Sequence, residues 1–196
     1  AFVLENPLLG VLALVVFAVV ASGAGWLAVR LRRSTGQRFK RLLATRDEVA
    51  VLMHPNPDPD AMSCAMAVDA IADAVDTDAT MYYAGQIRHQ ENRAFETVLD
   101  LSFDRLVDAS ELPADDVVLV DHNTPRGVSG ADSIDPFAVI DHHPGGGTGT
   151  EFTDVRTDNG ACATIFAEYC QSMGWTPIDP DEEAGVEELP TDVATG

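Results

Sequence analysis

Lysine is nearly missing from this chain: Lys40 is the only one among 196 residues. Seven of the twelve basic residues (Arg30, Arg32, Arg33, Arg38, Lys40, Arg41 and Arg46) lie within one short stretch. Of the 32 acidic residues only Glu5 precedes Asp47, so the long remainder carries a heavy excess of negative charge. A sequence-independent groove for double-stranded nucleic acid needs clustered Lys and Arg, and this remainder has only five scattered arginines and no lysine to build it. The acids are spread rather than blocked. That pattern suits a solvated surface in concentrated salt, where self-repulsion is screened, better than an acidic docking face. Scarce lysine with plentiful aspartate resembles the composition expected of a haloarchaeal type of protein. Cysteine is also scarce. Cys64, Cys162 and Cys170 form neither a disulfide framework nor a zinc motif. The first two sit in apolar, small-residue surroundings and read as buried thiols, which fits a reducing compartment.

Charge is absent altogether from Pro7 to Val29, a run of apolar and small residues. At about 1.5 Å per residue such a run spans a hydrocarbon core of roughly 30 Å. The basic cluster follows the run instead of preceding it, unlike a secretory signal. Residues 1–30 are therefore expected to be a single-pass transmembrane anchor, with Trp26 at an interface. The positive-inside rule puts everything from Arg30 onward on the cytoplasmic side of the cell membrane. Gly10, Gly23 and Gly25 offer a seam for a homodimer as an alternative, although they lack the GxxxG spacing of a helix-dimer seam. Residues 31–46 read as a basic juxtamembrane linker whose short helix lies along anionic lipid. The chain starts with Ala and is expected to be an excerpt of something longer.

From Val49 onward short apolar runs alternate with helical stretches. Strands are expected at 49–53, 80–83, 117–120 and 137–140. Helices are expected at 61–75 (with Asp60 as N-cap), 90–101 and 161–173. This alternation implies an α/β fold with a mainly parallel, doubly wound sheet, behind one transmembrane helix.

Three of those strands run straight into polar residues able to bind metal. VAVLM leads to His54, Asp58 and Asp60; VVLV leads to Asp121 and His122; FAVI leads to Asp141, His142 and His143. Ligands in open α/β sheets bind beyond the carboxyl ends of the strands, so the three motifs are expected in one crevice. Mixed carboxylate and imidazole donors with no committed thiolate favour a hard divalent ion such as Mn²⁺, with Mg²⁺ or Co²⁺ as alternatives. Two aspartates at i and i+2, with a histidine four positions earlier, can serve two adjacent ions. Two such ions can activate a water and steady the leaving oxygen of a phosphoryl group.

The blocks HPNPDPDAMS, VDHN and VIDHHPGG resemble motifs I, II and III of the DHH-superfamily phosphoesterases, in that order. That superfamily includes RecJ-like exonucleases, oligoribonucleases, cyclic-di-AMP phosphodiesterases and manganese inorganic pyrophosphatases. The resemblance covers residues 48–196 and implies the DHH N-terminal domain, with a phosphoesterase domain over 47–196. It implies His54 and Asp58 on a first metal, Asp60 and His142 on a second, and Asp121 bridging both. It implies His143 at the substrate phosphate and Asp141 orienting His142 from behind. His122 is either a substrate contact or a structural histidine. Arg88, His89, Asn92 and Arg93, in a polar loop, either touch substrate or cap the next helix. Gly145 and Gly146 either cradle a phosphate or form a flexible loop. The expected substrate is a small nucleotide: cyclic di-AMP, a linear dinucleotide or a short oligonucleotide. The alternative is a non-catalytic membrane sensor that binds the same ligand. The family's fourth motif, an Asp ending a later strand, finds no match: Asp192 in ELPTDVATG reads as the start of the preceding helix. The C-terminal substrate domain is not found either, so the site is expected to be one ligand short.

Overall fold

The computed structural model describes residues 11–12, 14–23, 34–112 and 116–175. Its elements run α1 (Thr35–Leu43), β1 (Glu48–Met53), α2 (Pro59–Asp73), β2 (Asp78–Ala84), α3 (Gln90–Val98), β3 (Asp104–Leu106), β4 (Val117–Val120), β5 (Ala138–Asp141), β6 (Phe152–Val155) and α4 (Ala163–Ser172). All six strands pair in parallel, in the order β3-β2-β1-β4-β5-β6. The chain winds outward from β1 through β2 and β3, then returns to the other side of β1 and winds outward again. The direction reverses between β1 and β4, and such a reversal opens a crevice at the carboxyl ends of the two strands.

Four of these strands match the expected apolar runs, whereas β3 and β6 carry no such run. β3 is the tripeptide Asp104-Arg105-Leu106 with two exposed residues, and β6 buries only Phe152 fully. Both are edge strands, which are commonly short and polar because that discourages pairing with other chains.

The central strands read as continuous apolar runs because both faces are covered. Val49, Val51 and Met53 of β1 join Val118, Val120, Ala138 and Ile140 on one face, under Ala61, Met62, Ala65 and Val68 of α2 and Ile165, Phe166 and Tyr169 of α4. Phe95 of α3 touches the same cluster. The other face, around Ala50, Leu52, Leu119 and Val139, is covered by Leu112, Val128 and Ile134 from irregular chain. Doubly wound sheets ordinarily carry helices on both faces. Among the described residues the second face has none, since the β3–β4 and β4–β5 connections hold only three-residue 3-10 turns at Ala109–Glu111 and Ala131–Ser133.

α1 departs from the expected surface linker. Phe39 and Leu43 are fully buried in the core, with the Phe39 ring 5.2 Å from Phe152 and 5.9 Å from Tyr169. Burying two such side chains stabilises by about 2 kcal/mol each. Gly36 lies so close to Tyr169 that an added Cβ would meet its Cα at 2.6 Å. Ser34 caps the helix by accepting from the Gln37 amide at 3.2 Å. Arg46 then stacks 3.6 Å over the Phe137 ring and pairs with Asp116 at 2.9 Å. The packed unit thus includes α1 and begins ahead of residue 47.

Residues 11–12 and 14–23 are helical with exposed apolar side chains; Phe17 is 71% exposed and Leu14 69%. Among the described residues no helix is long and apolar enough to cross a membrane. The expected span from Pro7 to Val29 lies partly outside the described residues, and the stretch holding Asp192 lies wholly outside them.

Candidate metal centre

The reversal point brings the three motifs together. β1 ends in Met53 and delivers His54; β4 ends in Val120 and delivers Asp121; β5 ends in Asp141, followed by His142 and His143. Asp121 adopts a left-handed backbone (φ 59°), a conformation that Asp tolerates better than most residues. Its amide donates to the Ile140 carbonyl at 3.0 Å, which ties the turn to β5.

Asp121 is the centre of the constellation. Its Oδ2 lies 3.4 Å from His54 Nε2, and its Oδ1 lies 3.3 Å from His142 Nε2. Asp58 Oδ1 approaches His54 Nε2 at 4.0 Å from one side, and Asp60 Oδ2 approaches His142 Nε2 at 3.7 Å from the other. His54, Asp58 and Asp121 form one group whose donor atoms all lie within 4.8 Å of one another; Asp121, His142 and His143 form a second. The two groups share only Asp121, one oxygen facing each.

Ring orientation decides which nitrogens are free. His54 Nδ1 sits 3.0 Å from the Pro55 carbonyl oxygen, and His142 Nδ1 sits 3.1 Å from that of Asn159. A carbonyl only accepts, so each Nδ1 carries the proton in the neutral ring and each Nε2 presents a lone pair toward Asp121. His143 is turned the other way. Its Nδ1 is 2.8 Å from Asp141 Oδ1, so that nitrogen is engaged, although it also lies 3.7 Å from Asp121. Asp60 with His142 is therefore the better pair for the second position, and His143 has its Nε2 left for a ligand.

Asp121 is 2% exposed and its Oδ1 has no hydrogen-bond partner. Burial pushes its carboxyl pKa up, His54 pulls it down, and Asp60 and Asp58 push it up again. For His54, burial lowers the pKa, yet the hydrogen bonds to Asp121 and Pro55 and the charges of Asp121 and Asp58 leave it raised. A buried, unpartnered carboxylate oxygen facing an imidazole lone pair is costly by itself, and a divalent cation relieves that cost. The donor set is all oxygen and nitrogen, so these residues fit one or two hard-to-borderline divalent ions.

The carboxylates are held by different means. Asp58, not Asp60, caps α2: its Oδ1 accepts from the amides of Asp60 (3.0 Å) and Ala61 (3.1 Å), with Pro59 at the first helical position. Asp60 instead reaches across to α4, where its two oxygens accept from the amides of Cys162 (2.8 Å) and Ala163 (2.7 Å). It caps a helix 102 residues further along the chain, one with no side-chain cap of its own. Cys64 and Cys162 are fully buried free thiols beside it, as their surroundings suggested.

Several expected roles change. Asp141 was expected to orient the His142 ring. It meets His142 only through that residue's backbone amide (2.7 Å) and orients the His143 ring instead, because the His142 ring already bonds Asn159. Of the two roles open to His122, substrate contact or structural histidine, the geometry favours the second: it is 1% exposed, with Nδ1 2.9 Å from the Val120 carbonyl oxygen. Burial holds its pKa down at about 4, so it is a neutral structural histidine packed edge-on to His54 at 6.4 Å. Asn92 is buried, 3% exposed, and donates from Nδ2 to the Pro57 carbonyl at 2.8 Å, which braces the His54–Asp60 loop. Arg93 donates to the Arg88 carbonyl at 2.5 Å, and Arg88 donates its backbone amide to Asn56 at 2.6 Å. Arg88, His89 and Arg93 remain exposed on the loop beside motif I. Gly145 and Gly147 are required by close packing: an added Cβ on either would collide with Asn123, whereas Gly146 has open space.

Asn123 closes the VDHN block but was given no role of its own in the sequence. It donates to Asp141 Oδ2 at 2.8 Å and to the His143 carbonyl at 3.2 Å, linking motif II to motif III. Its place two positions after Asp121 was the only signal. Asn159, whose carbonyl fixes His142, was missed because a backbone acceptor leaves no trace in residue identity.

The model of the DHH family, N-terminal domain, matches residues 48–195. An uncharacterized protein of Methanocaldococcus jannaschii is 29% identical over 149 residues, covering 72% of this chain and 30% of that protein. A probable manganese-dependent inorganic pyrophosphatase of an Exiguobacterium strain is 29% identical over 96 residues, covering 48% of this chain and 31% of its own length. The chain thus spans under a third of either relative. Among solved structures, an exopolyphosphatase-related protein from Bacteroides fragilis superposes with a TM-score of 0.51 at 14% identity, over 72% of this chain and 44% of that one, which is a likeness of fold. With its three motifs converging on Asp121 across the β1/β4 reversal, the chain belongs to the DHH family and carries that family's N-terminal domain.

Proposed function

We propose that this domain is the metal-binding half of a phosphohydrolase that cleaves small nucleotide phosphodiesters. The observation that carries the proposal is the split carboxylate of Asp121, with Oδ2 facing His54 and Oδ1 facing His142. His54, Asp58 and Asp121 would hold one ion; Asp60, His142 and Asp121 would hold the other. Two ions so placed, Mn²⁺ being the favoured pair, would activate a water and neutralise charge on the phosphoryl oxygens. The chain's own residues supply the rest. Asp141, fully buried, fixes His143 through Nδ1, which leaves Nε2 of this half-exposed ring to meet the substrate phosphate, donating to a phosphate oxygen when the ring is protonated. Arg88 and Arg93, exposed beside motif I, are placed to meet further phosphate charge.

Cyclic di-AMP, a linear dinucleotide and a short oligonucleotide are the substrates this reading favours. A membrane anchor over residues 7–29 would keep the domain at the cytoplasmic face, where a signalling nucleotide suits a tethered enzyme better than a long polymer does. A second reading, hydrolysis of a phosphoanhydride, draws support from the manganese-dependent pyrophosphatase among the relatives. The test is turnover by the full protein with Mn²⁺, Mg²⁺ or Co²⁺ on cyclic di-AMP, a linear dinucleotide and pyrophosphate. Dinucleotide cleavage faster than pyrophosphate cleavage is expected, and the reverse order selects the second reading. Tight nucleotide binding with no hydrolysis under any metal would make the domain a sensor and refute both.

A further inference from the structure

We propose that the outer side of α1 docks on anionic phospholipid headgroups and holds the domain with its metal crevice turned away from the bilayer. The apolar side of α1 is committed: Phe39 and Leu43 are in the core and Gly36 is pressed on Tyr169. That commitment sets Arg38 and Arg41 outward, both exposed, with the half-buried Lys40 on the flank of the helix, 5.7 Å from the Trp175 ring centroid. None of the three makes an ion pair among the described residues, although the chain has 32 acidic residues to offer. A hollow of about 360 Å³ opens beside them, lined by Gln37, Lys40, Arg41, Ala44 and Val75, without a carboxylate. On a chain of net charge −20 a cation face of this kind selects an anionic partner.

A bilayer is the partner that the neighbouring sequence supplies. The described helical residues 11–12 and 14–23 expose Leu14, Phe17 and Val19, and no charge lies between them and the basic cluster. Each cation near an anionic surface contributes about 1 kcal/mol, so the face is a positioning device, not an anchor by itself.

The orientation follows from the sheet. Thr77 Oγ1, just before β2, donates to the Leu43 carbonyl at 3.0 Å, and Arg46 pairs with Asp116, just before β4. α1 therefore feeds into the amino ends of the strands, whereas every metal-competent residue lies at the carboxyl ends. The start of α1 meets α4 at Tyr169 and Ser172, the end of α4 remote from the Asp60-bound amides of Cys162 and Ala163, while Phe39 further along reaches Phe166 in the core. At roughly 3.3 Å per residue β1 alone separates the two ends by about 20 Å. This arrangement does not depend on the hydrolase reading.

Lys40, the only lysine, provides the probe. The full chain is reconstituted in nanodiscs of phosphatidylcholine alone or with phosphatidylglycerol, and acylation of the Lys40 amine by an N-hydroxysuccinimide ester is followed by peptide mass. At low salt the Lys40 rate is expected to fall at least threefold in the anionic discs. The difference should vanish at 1 M salt, where the screening length is about 3 Å, and in the Arg38→Glu/Arg41→Glu variant. Carbethoxylation of His143, half exposed at the crevice, is expected to proceed equally in both discs. Equal Lys40 rates in the two compositions, protection that survives high salt or charge reversal, or failure to enter either disc would overturn the docking face. Protection of His143 alongside Lys40 would overturn the orientation.

Discussion

Acidification should destabilise this domain through His122. The ring is 1% exposed, its Nδ1 is bonded to the Val120 carbonyl and its Nε2 has no partner. Protonating it would place a charge in an apolar site beside His54. Its folded pKa is held down at about 4, against an ordinary value of 6.5. The unfolded chain thus binds the proton first: stability is full above pH 6.5 and is lost as the pH falls toward 4. A separation of this size is worth about 3 kcal/mol over the whole window, and about 2 kcal/mol between pH 7 and pH 5. Two neighbours act in the opposite sense. The raised pKa values of His54 and Asp121 both make the folded state bind protons more readily on acidification, so the wild-type slope alone is not diagnostic. His122→Asn separates the terms, because the Asn amide can keep the bond to Val120 but does not titrate. Urea titrations in EDTA and mild detergent at pH 7 and pH 5 should show the wild type losing about 2 kcal/mol more than the variant. Curves that differ by under 0.5 kcal/mol would show that His122 is hydrated or paired and would refute the reasoning.

Asp121→Asn should abolish both Mn²⁺ positions together, since one side chain faces both, whereas Asp58→Asn should weaken one; calorimetric titration with MnCl₂ reads the stoichiometry, and two intact sites in Asp121→Asn would defeat the bridging role. Asn123→Ala removes a donor from the fully buried Asp141, which should cost about 1–3 kcal/mol in chemical denaturation; a neutral result would mean that Asp141 finds another partner. Gly147→Ala should destabilise by about 1–3 kcal/mol because its Cβ meets the Asn123 carbonyl, while Gly146→Ala, with open space, should stay within about 0.5 kcal/mol. Thermal midpoints compare the pair, and equal losses would refute the packing account of Gly147.

Buried parallel strands announce themselves as apolar runs, and metal ligands follow them directly, so the crevice was legible wherever a strand ended in His or Asp. His54, Asp58, Asp60, Asp121, His142 and His143 share one crevice for that reason. Edge strands β3 and β6 were not legible, because an edge tolerates polar residues and gives no run. Nor was the seat of α1, whose Phe39 and Leu43 look the same in sequence whether they face lipid or a protein core.

The sequence by itself determined the strand ends, and with them which acids and imidazoles are within reach of one another, because a strand's carboxyl end is a fixed place in a parallel sheet. Tertiary structure alone decided what each of those groups is free to do. Asp60 is bound by amides from a helix 102 residues away, His122 is sealed in the core, and Asp141 serves His143 because Asn159 already holds His142. These assignments depend on hydrogen-bond partners and burial supplied by distant parts of the chain. No local pattern records them.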